Sequence, residues 1–360
     1  MTFGPAWNGT RAHLGGPPAD SADYVPIRVA AERLVEDIRF AALASDDWTQ
    51  RDLGQALIDG ALDRCLAALV ETGLWGRDNQ VPSHELWLIA GSILECGGLQ
   101  HRARFKPRGY AGDFEMLEDF WNRRENETLP GKLFDRYFLK QAAVEAVRAR
   151  MEQSAAAVMR LALDPQREEL RVVSIGSGAA TDLRQAAKLL PETAAAKLRY
   201  ALVDIDEAAL AFAKSKLEDS LRPDQVATYR ENLFRLAKGK RGEAIVAESD
   251  VVLCTGLFDY LSDADAAAML KLFWNGLRAG GELFAGNFAP HCPTRAYMEW
   301  LGNWYLIYRT VDEFTRIAEL AEIPAEARRI GADRTGCDLF LVARKKASGR
   351  RESLGNIEAT

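Results

Sequence analysis

Two textures of hydrophobic patterning divide the chain. Between residues 25 and 163 apolar positions recur at three- and four-residue steps: Ala31, Leu34, Ile38 and Ala41, then Ile58, Leu62, Leu66, Leu69 and Val70. That spacing gives each of a series of helices one apolar stripe. Asp46 and Asp47 are candidate N-caps for the second helix, and Gly76 is a candidate stop. A long helix is predicted over 132–163, ended by Asp164-Pro165, because the residue before proline disfavours helical backbone. From residue 170 the pattern changes. Short apolar runs at 170–175, 199–203, 226–229, 251–255 and 281–288 alternate with helical stretches at 182–190, 207–217 and 264–277. Such alternation predicts a parallel sheet with helices on both faces, since right-handed crossovers pack in no other way. A helix near 311–321 and a terminal hairpin from runs at 325–330 and 337–343 close the chain.

The first run ends in Gly176-Ser177-Gly178 and opens onto a helix, and the second ends in Asp204. Glycines let a ligand lie against the main chain, and an acid at the next strand end accepts hydrogen bonds from ribose hydroxyls. Glu231-Asn232-Leu233-Phe234 follows the third run. Together these features predict a nucleoside site. Thr181 stands where the dinucleotide fingerprint needs a small residue, and no Gly-Lys-Ser/Thr follows the glycines, which disfavours phosphate. S-adenosyl-L-methionine (SAM) carries no phosphate and suits a turn that cradles a ribose and an amino-acid tail.

On these residues the stretch 165–345 resembles the class I SAM-dependent methyltransferases. The resemblance implies an α/β fold with a Rossmann-like seven-stranded sheet, its last strand antiparallel, carrying here an N-terminal all-helical region. The expected organisation is a flexible arm over 1–24, a helical substrate-selecting or lid domain over 25–163, a SAM-binding domain over 164–345 and a disordered tail over 346–360. The resemblance implies Ser174, Gly176, Ser177, Gly178 and Asp182 along the cofactor, Asp204 and Ile205 at the ribose, and Asn232, Leu233 and Phe234 near the adenine. Cys254, Thr255 and Gly256, followed by Phe258, would lie beneath the sulfonium, with Cys254 as apolar lining. Many members carry an acid where this chain has Ser174, so the cofactor's ammonium needs another partner, either Asp182 or a residue of the helical half. The segments 106–116 (KPRGYAGDFEM) and 304–310 (WYLIYRT) resemble a narrower bacterial subgroup linked to methyl esters of hydroxy fatty acids.

Arg108 is a candidate clamp for a carboxylate, the substrate's or the cofactor's, whereas Arg102 and Arg104 read as a solvated charged loop. The glycines at 109 and 112 predict a fixed loop that presents Tyr110 and Asp113 as a lid, or else a turn in which Asp113 caps the next helix. Trp300, Trp304, Tyr305 and Tyr308 follow the fifth strand as either a substrate wall or helix core, and Asn287, Phe258 and Arg309 are further substrate-binding candidates. Candidate bases are Tyr260, next to Asp259, and His291. A carboxylate acceptor would need no base, being already ionised at neutral pH.

Composition narrows the classes. The chain has 360 residues, 48% hydrophobic, with a formal net charge of -6, so no electrostatic footprint for nucleic acid is visible. Five scattered cysteines without a C-x-x-C pair argue for a reducing cytoplasm and against disulfides or structural zinc, and the four histidines are not at metal-ligand spacing. No metal is expected. No apolar run reaches the length of a membrane span, and residues 1–23 lack the apolar core of a signal peptide. The expected function is a cytoplasmic SAM-dependent methyltransferase of secondary metabolism or signalling, acting on a small-molecule or lipid-like acceptor, with carboxylate O-methylation favoured. One alternative is amino-carboxypropyl transfer or cyclisation of SAM that releases methylthioadenosine. A further alternative is a non-catalytic binding protein.

Overall fold

A computed structural model describes residues 24–44 and 51–346; Asp46, Asp47 and the greater part of the arm and tail lie outside them. Seven helices come first: α1 (Val25–Ala44), α2 (Arg51–Glu71), α3 (Gln80–Leu94), α4 (Gly98–Phe105), α5 (Phe114–Asn122), α6 (Leu129–Leu139) and α7 (Ala142–Ala162). Their stripes meet in one core where Ile27, Leu34, Ile58, Leu62 and Leu69 are almost wholly buried. Helix α2 stops at Glu71, earlier than expected. Gly73, at φ +68°, takes the left-handed position after it, and Gly76 belongs to the loop beyond.

The long helix expected over 132–163 is two helices. Gln141 has extended backbone (φ -64°, ψ 143°), and the buried guanidinium of Arg148 donates to the freed Leu139 carbonyl and to that of Phe120. The break lets α6 pack on α2 and α4 while α7 turns onto the sheet domain. Helical propensity runs through residues 140–141, so tertiary packing sets the boundary.

The sheet comprises β1 (Leu170–Ile175), β2 (Leu198–Asp204), β3 (Val226–Arg230), β4 (Ser249–Cys254), β5 (Leu277–Phe288), β6 (Arg328–Ala332) and β7 (Asp338–Arg344) in the order β3-β2-β1-β4-β5-β7-β6. The first five are parallel, and β7 runs antiparallel to both β5 and β6. This is the Rossmann-like α/β sheet expected. Helices α8 (Thr181–Leu189), α9 (Glu192–Ala195), α10 (Glu207–Leu217), α11 (Lys240–Val246), α12 (Asp263–Gly276) and α13 (Val311–Leu320) connect and cover it. Strands β1 and β4 are buried nearly throughout, which is why they read as continuous apolar runs. Strand order reverses between them, and such a switch opens a crevice at the carboxyl ends.

One cysteine expectation fails. Cys292 and Cys337 form a disulfide with Cα atoms 4.5 Å apart across 45 residues of sequence. Antiparallel pairing of β5 with β7 brings the ends together, and the Ala289 N–H donates to the Cys337 carbonyl at 2.7 Å. Among the described residues no helix is long and apolar enough to cross a membrane, and no cluster of His, Cys, Asp and Glu could hold a metal ion.

Candidate active site

A cavity of about 860 Å³ opens at the carboxyl ends of β1, β2 and β4 and continues into the helical region. Its floor is the glycine turn. Gly176 and Gly178 have φ of +66° and +50°, a backbone that side chains rarely adopt. The Gly178 N–H donates to Asp204 Oδ2 at 2.8 Å, and the Asp206 N–H donates to Oδ1 at 3.0 Å. These bonds orient the Asp204 carboxylate at the end of β2, and burial raises its pKa. Ser177 Oγ is buried in the turn with no partner among the described residues, a polar atom left for a ligand. Thr181 donates to Glu118 Oε1 at 2.5 Å and Arg184 pairs with the same oxygen at 2.7 Å, tying α8 to α5. Ile205, Leu233 and Phe234 line the side beyond Asp204.

The loop 106–113 docks across this floor. Arg108 donates to Asp206 through Nε (2.7 Å) and Nη2 (2.8 Å), and Tyr110 OH donates to Asp206 Oδ2 at 3.0 Å. The guanidinium holds the Asp206 carboxyl below its ordinary range, while burial and the neighbouring Asp204 and Asp206 push the Tyr110 phenol up. Arg108 is therefore spent on Asp206. Lys106 Nζ donates to the Asn303 carbonyl at 2.8 Å. Gly112, at φ +66°, lies where a Cβ would fall 2.8 Å from Trp304 Cζ2. Trp304 in turn donates to Tyr260 OH at 2.8 Å. The loop and the indole together roof the cavity, which Tyr110, Trp304 and Tyr260 all line.

Where floor and roof converge, Ser174, Asp182, Thr255, Gly256, Asp259 and Arg150 line the wall. Sequence reasoning missed Arg150. Its only signal was the Arg148-Ala149-Arg150 pair of cations amid the small apolar residues of α7. The Arg150 side chain is 9% exposed and lies 3.5 Å from the wholly buried Asp338 carboxylate, and its Nη2 would sit 3.2 Å from a Cβ on Gly256. Burial lifts the Asp182 carboxyl to about 6, partly offset by the Leu183 N–H and by Arg150. Asp259, which accepts from the Phe288 N–H at 2.7 Å, is also raised by burial. Beyond this junction the lining turns apolar, with Leu117, Phe120, Phe138, Val144, Val147 and Met298. These residues come from α5, α6, α7 and the turn after β5, so no local motif announced them.

Several expected site residues lie outside the cavity wall. Asp113 caps α5, accepting from the Glu115 and Met116 N–H groups at 3.1 Å, and pairs with Arg102 at 2.9 Å. Arg104, half-buried over Trp87, donates to Ser83 Oγ at 2.7 Å. Neither Arg102 nor Arg104 is the solvated charge expected. Asn232 caps the turn at Leu233 by accepting from the Phe234 N–H. Cys254 and Phe258 are fully buried in the sheet core, and burial raises the Cys254 thiol. Arg309 bonds the carbonyls of Phe258 and Leu261 and Asn287 Oδ1, and Asn287 bonds the Phe288 and Ile307 carbonyls. That network holds segment 304–310 against β5. Tyr308 packs on Arg295 with its guanidinium 4.6 Å from the ring centroid, Tyr305 faces Arg104, and Trp300 is core. His291 faces Gly336 at the terminal hairpin, because β5 ends short of it and the disulfide pins the following turn.

Residues 173–283 match the family described as "Methyltransferase domain". No curated protein is significantly similar in sequence. Among solved structures, one from Bordetella parapertussis described as a possible exported protein is 17% identical, covering 92% of this chain and 100% of its own at a TM-score of 0.54; at that identity the likeness speaks for the fold. Magnesium protoporphyrin IX methyltransferase from Synechocystis PCC 6803 with bound S-adenosylhomocysteine is 15% identical, covering 64% of this chain and 94% of its own (TM-score 0.43). The pyocyanin biosynthetic protein PhzM is also 15% identical, covering 89% and 93% (TM-score 0.42). The methyltransferase-domain match over 173–283 supports SAM as the cofactor.

Proposed function

We propose that the protein transfers a methyl group from SAM to the carboxylate of an acceptor with a long apolar body. One continuous cavity carries this reading: it runs from the cradle of Gly176, Gly178 and Asp204 past Arg150 and Asp182 into an apolar chamber among the helices. Its volume, about 860 Å³, falls within the range of small-molecule sites.

Asp204 would accept from the ribose hydroxyls, with Ser177 Oγ free to add a bond, and Leu233 and Phe234 would flank the base. A zwitterionic tail needs an anion and a cation side by side. Asp182 and Arg150 line the same wall and attract each other, so Asp182 would take the ammonium and Arg150 the carboxylate. This answers the absence of an acid at Ser174. When bound, SAM supplies an electrophilic methyl on a sulfonium.

The chain's own task is then to position the nucleophile and exclude water. Tyr110 and Trp304 close the roof, and the apolar chamber binds the acceptor's body. A carboxylate is ionised at neutral pH, which fits a wall with no histidine. Long-chain hydroxy acids incubated with protein and SAM should yield the corresponding methyl esters, one methyl replacing one hydrogen, identified by mass spectrometry. Methylation of amines or phenols with no ester from any acid would overturn the choice of acceptor.

A further inference from the structure

The apolar chamber is closed at its far side by a thin wall that has an outer face. Thr294 lines the main cavity and also a separate surface depression of about 430 Å³. Ala142 faces the outer depression and its neighbour Ala143 faces the chamber; the Ala143 N–H donates to Thr294 Oγ1 at 3.0 Å. A second line of the wall is aromatic. Tyr297 lines the chamber, with its ring 5.6 Å from that of Tyr137, which faces outward, and 5.2 Å from that of Phe138, which faces inward. Thr294 and Tyr297 are only 2% and 3% exposed.

The two faces differ in chemistry. Outside, Tyr137 OH donates to Asp63 at 2.6 Å and Lys140 pairs with Asp59. Inside, the neighbours are Phe138, Val144, Val147 and Met298. An apolar chain growing toward the wall gains from each carbon it buries, until it meets side chains held by a backbone hydrogen bond and by ring packing. A packed wall of this kind yields little. We propose that the wall of Thr294, Tyr297 and Ala143 sets the maximum length of the acceptor's apolar chain. This rests on the reading of the chamber as the acceptor site.

The test reads binding, so it does not require turnover. Dissociation constants are measured calorimetrically for n-alkyl carboxylates and n-alkanols of increasing length, with the protein saturated with S-adenosylhomocysteine. In the wild type, affinity should rise about fourfold per methylene, the gain expected from burying one CH₂, and then stop at one length. Tyr297→Ala should move that break to longer chains, and Ala143→Val, which narrows the chamber, should move it to shorter ones. Because Tyr297→Ala removes a buried ring, Ala143→Val keeps the test intact if the first variant fails to fold. A break that stays at the same length in the folded variants, or a wild-type series without a break, overturns the proposal. A movable break without any methylated product would instead overturn the assigned reaction and leave the length limit standing.

Discussion

Arg108 grips Asp206 through two charge-assisted hydrogen bonds of 2.7 and 2.8 Å, fastening a loop of the helical half to the end of β2 beside the glycine turn. Asp206 also caps α10 by accepting from the Ala208 N–H, and its neighbour Asp204 faces the cavity. The roof is therefore tied to the end of β2, where Asp204 lines the cavity. Hydrogen bonds to charged groups contribute about 1.5–3 kcal/mol each where they are sheltered. In a double-mutant cycle, Arg108→Ala and Asp206→Ala should show a coupling of at least about 1 kcal/mol in SAM binding, the cycle removing the separate loss of the α10 cap. Additive effects would mean that the loop is docked by its other contacts alone.

Asp204→Ala removes the carboxylate that Gly178 and Asp206 orient. SAM affinity should fall by about 1.5–3 kcal/mol, roughly 10- to 150-fold. Calorimetry on the folded variant checks this, and an unchanged affinity would remove the ribose from the end of β2.

Asp182 gives the site a pH dependence. Its folded pKa, about 6, lies above the ordinary carboxyl value of 3.8, so the folded protein holds this proton more tightly than the unfolded chain does. The contribution of Asp182 to stability thus falls as pH rises through the window from 3.8 to about 6. In the proposed binding mode cofactor affinity has the opposite sign, because the ammonium would need the ionised Asp182 carboxylate. SAM affinity should fall about tenfold for each pH unit below the Asp182 pKa, and Asp182→Asn should flatten the profile. A wild-type affinity constant from pH 7.5 to roughly one unit below that pKa would contradict the assignment.

Gly112→Ala should destabilise the roof. The residue sits at φ +66°, and its Cβ would fall 2.8 Å from Trp304 Cζ2. Overpacking of this kind costs about 1–3 kcal/mol, with strain from the left-handed backbone added. Urea unfolding followed by tryptophan fluorescence checks this. A midpoint equal to wild type would show that Trp304 moves aside freely.

The disulfide between Cys292 and Cys337 closes a long loop across the β5–β7 pair. Its reduction should lower stability by about 2–4 kcal/mol. A thermal midpoint unchanged by a reducing agent would contradict the pairing.

What the sequence disclosed and what it hid follow from distance along the chain. Gly176, Gly178 and Asp204 were legible because a turn after one strand and an acid after the next are local signals of a parallel sheet. The strand runs were legible for the same reason, buried strands being continuous apolar segments. Arg150 and Tyr297 reach the cavity from a helix before the sheet and a turn after β5, and their roles depend on contacts such as those with Asp338 and Phe138. Arg108 stood out as a clamp, but its partner is 98 residues away and lies on the protein itself. The motif residues Tyr308 and Arg309 lock segment 304–310 to the sheet and its neighbours, a packing demand as strict as a chemical one.

In the proposed reaction the cavity presents SAM's methyl group to an acceptor carboxylate. The most direct measurement is to incubate purified protein with SAM, with and without a long-chain hydroxy acid, and to identify the nucleoside product by mass spectrometry. S-adenosylhomocysteine that accumulates only with the acid, in step with its methyl ester, is the predicted result. Methylthioadenosine formed without any acceptor would contradict it.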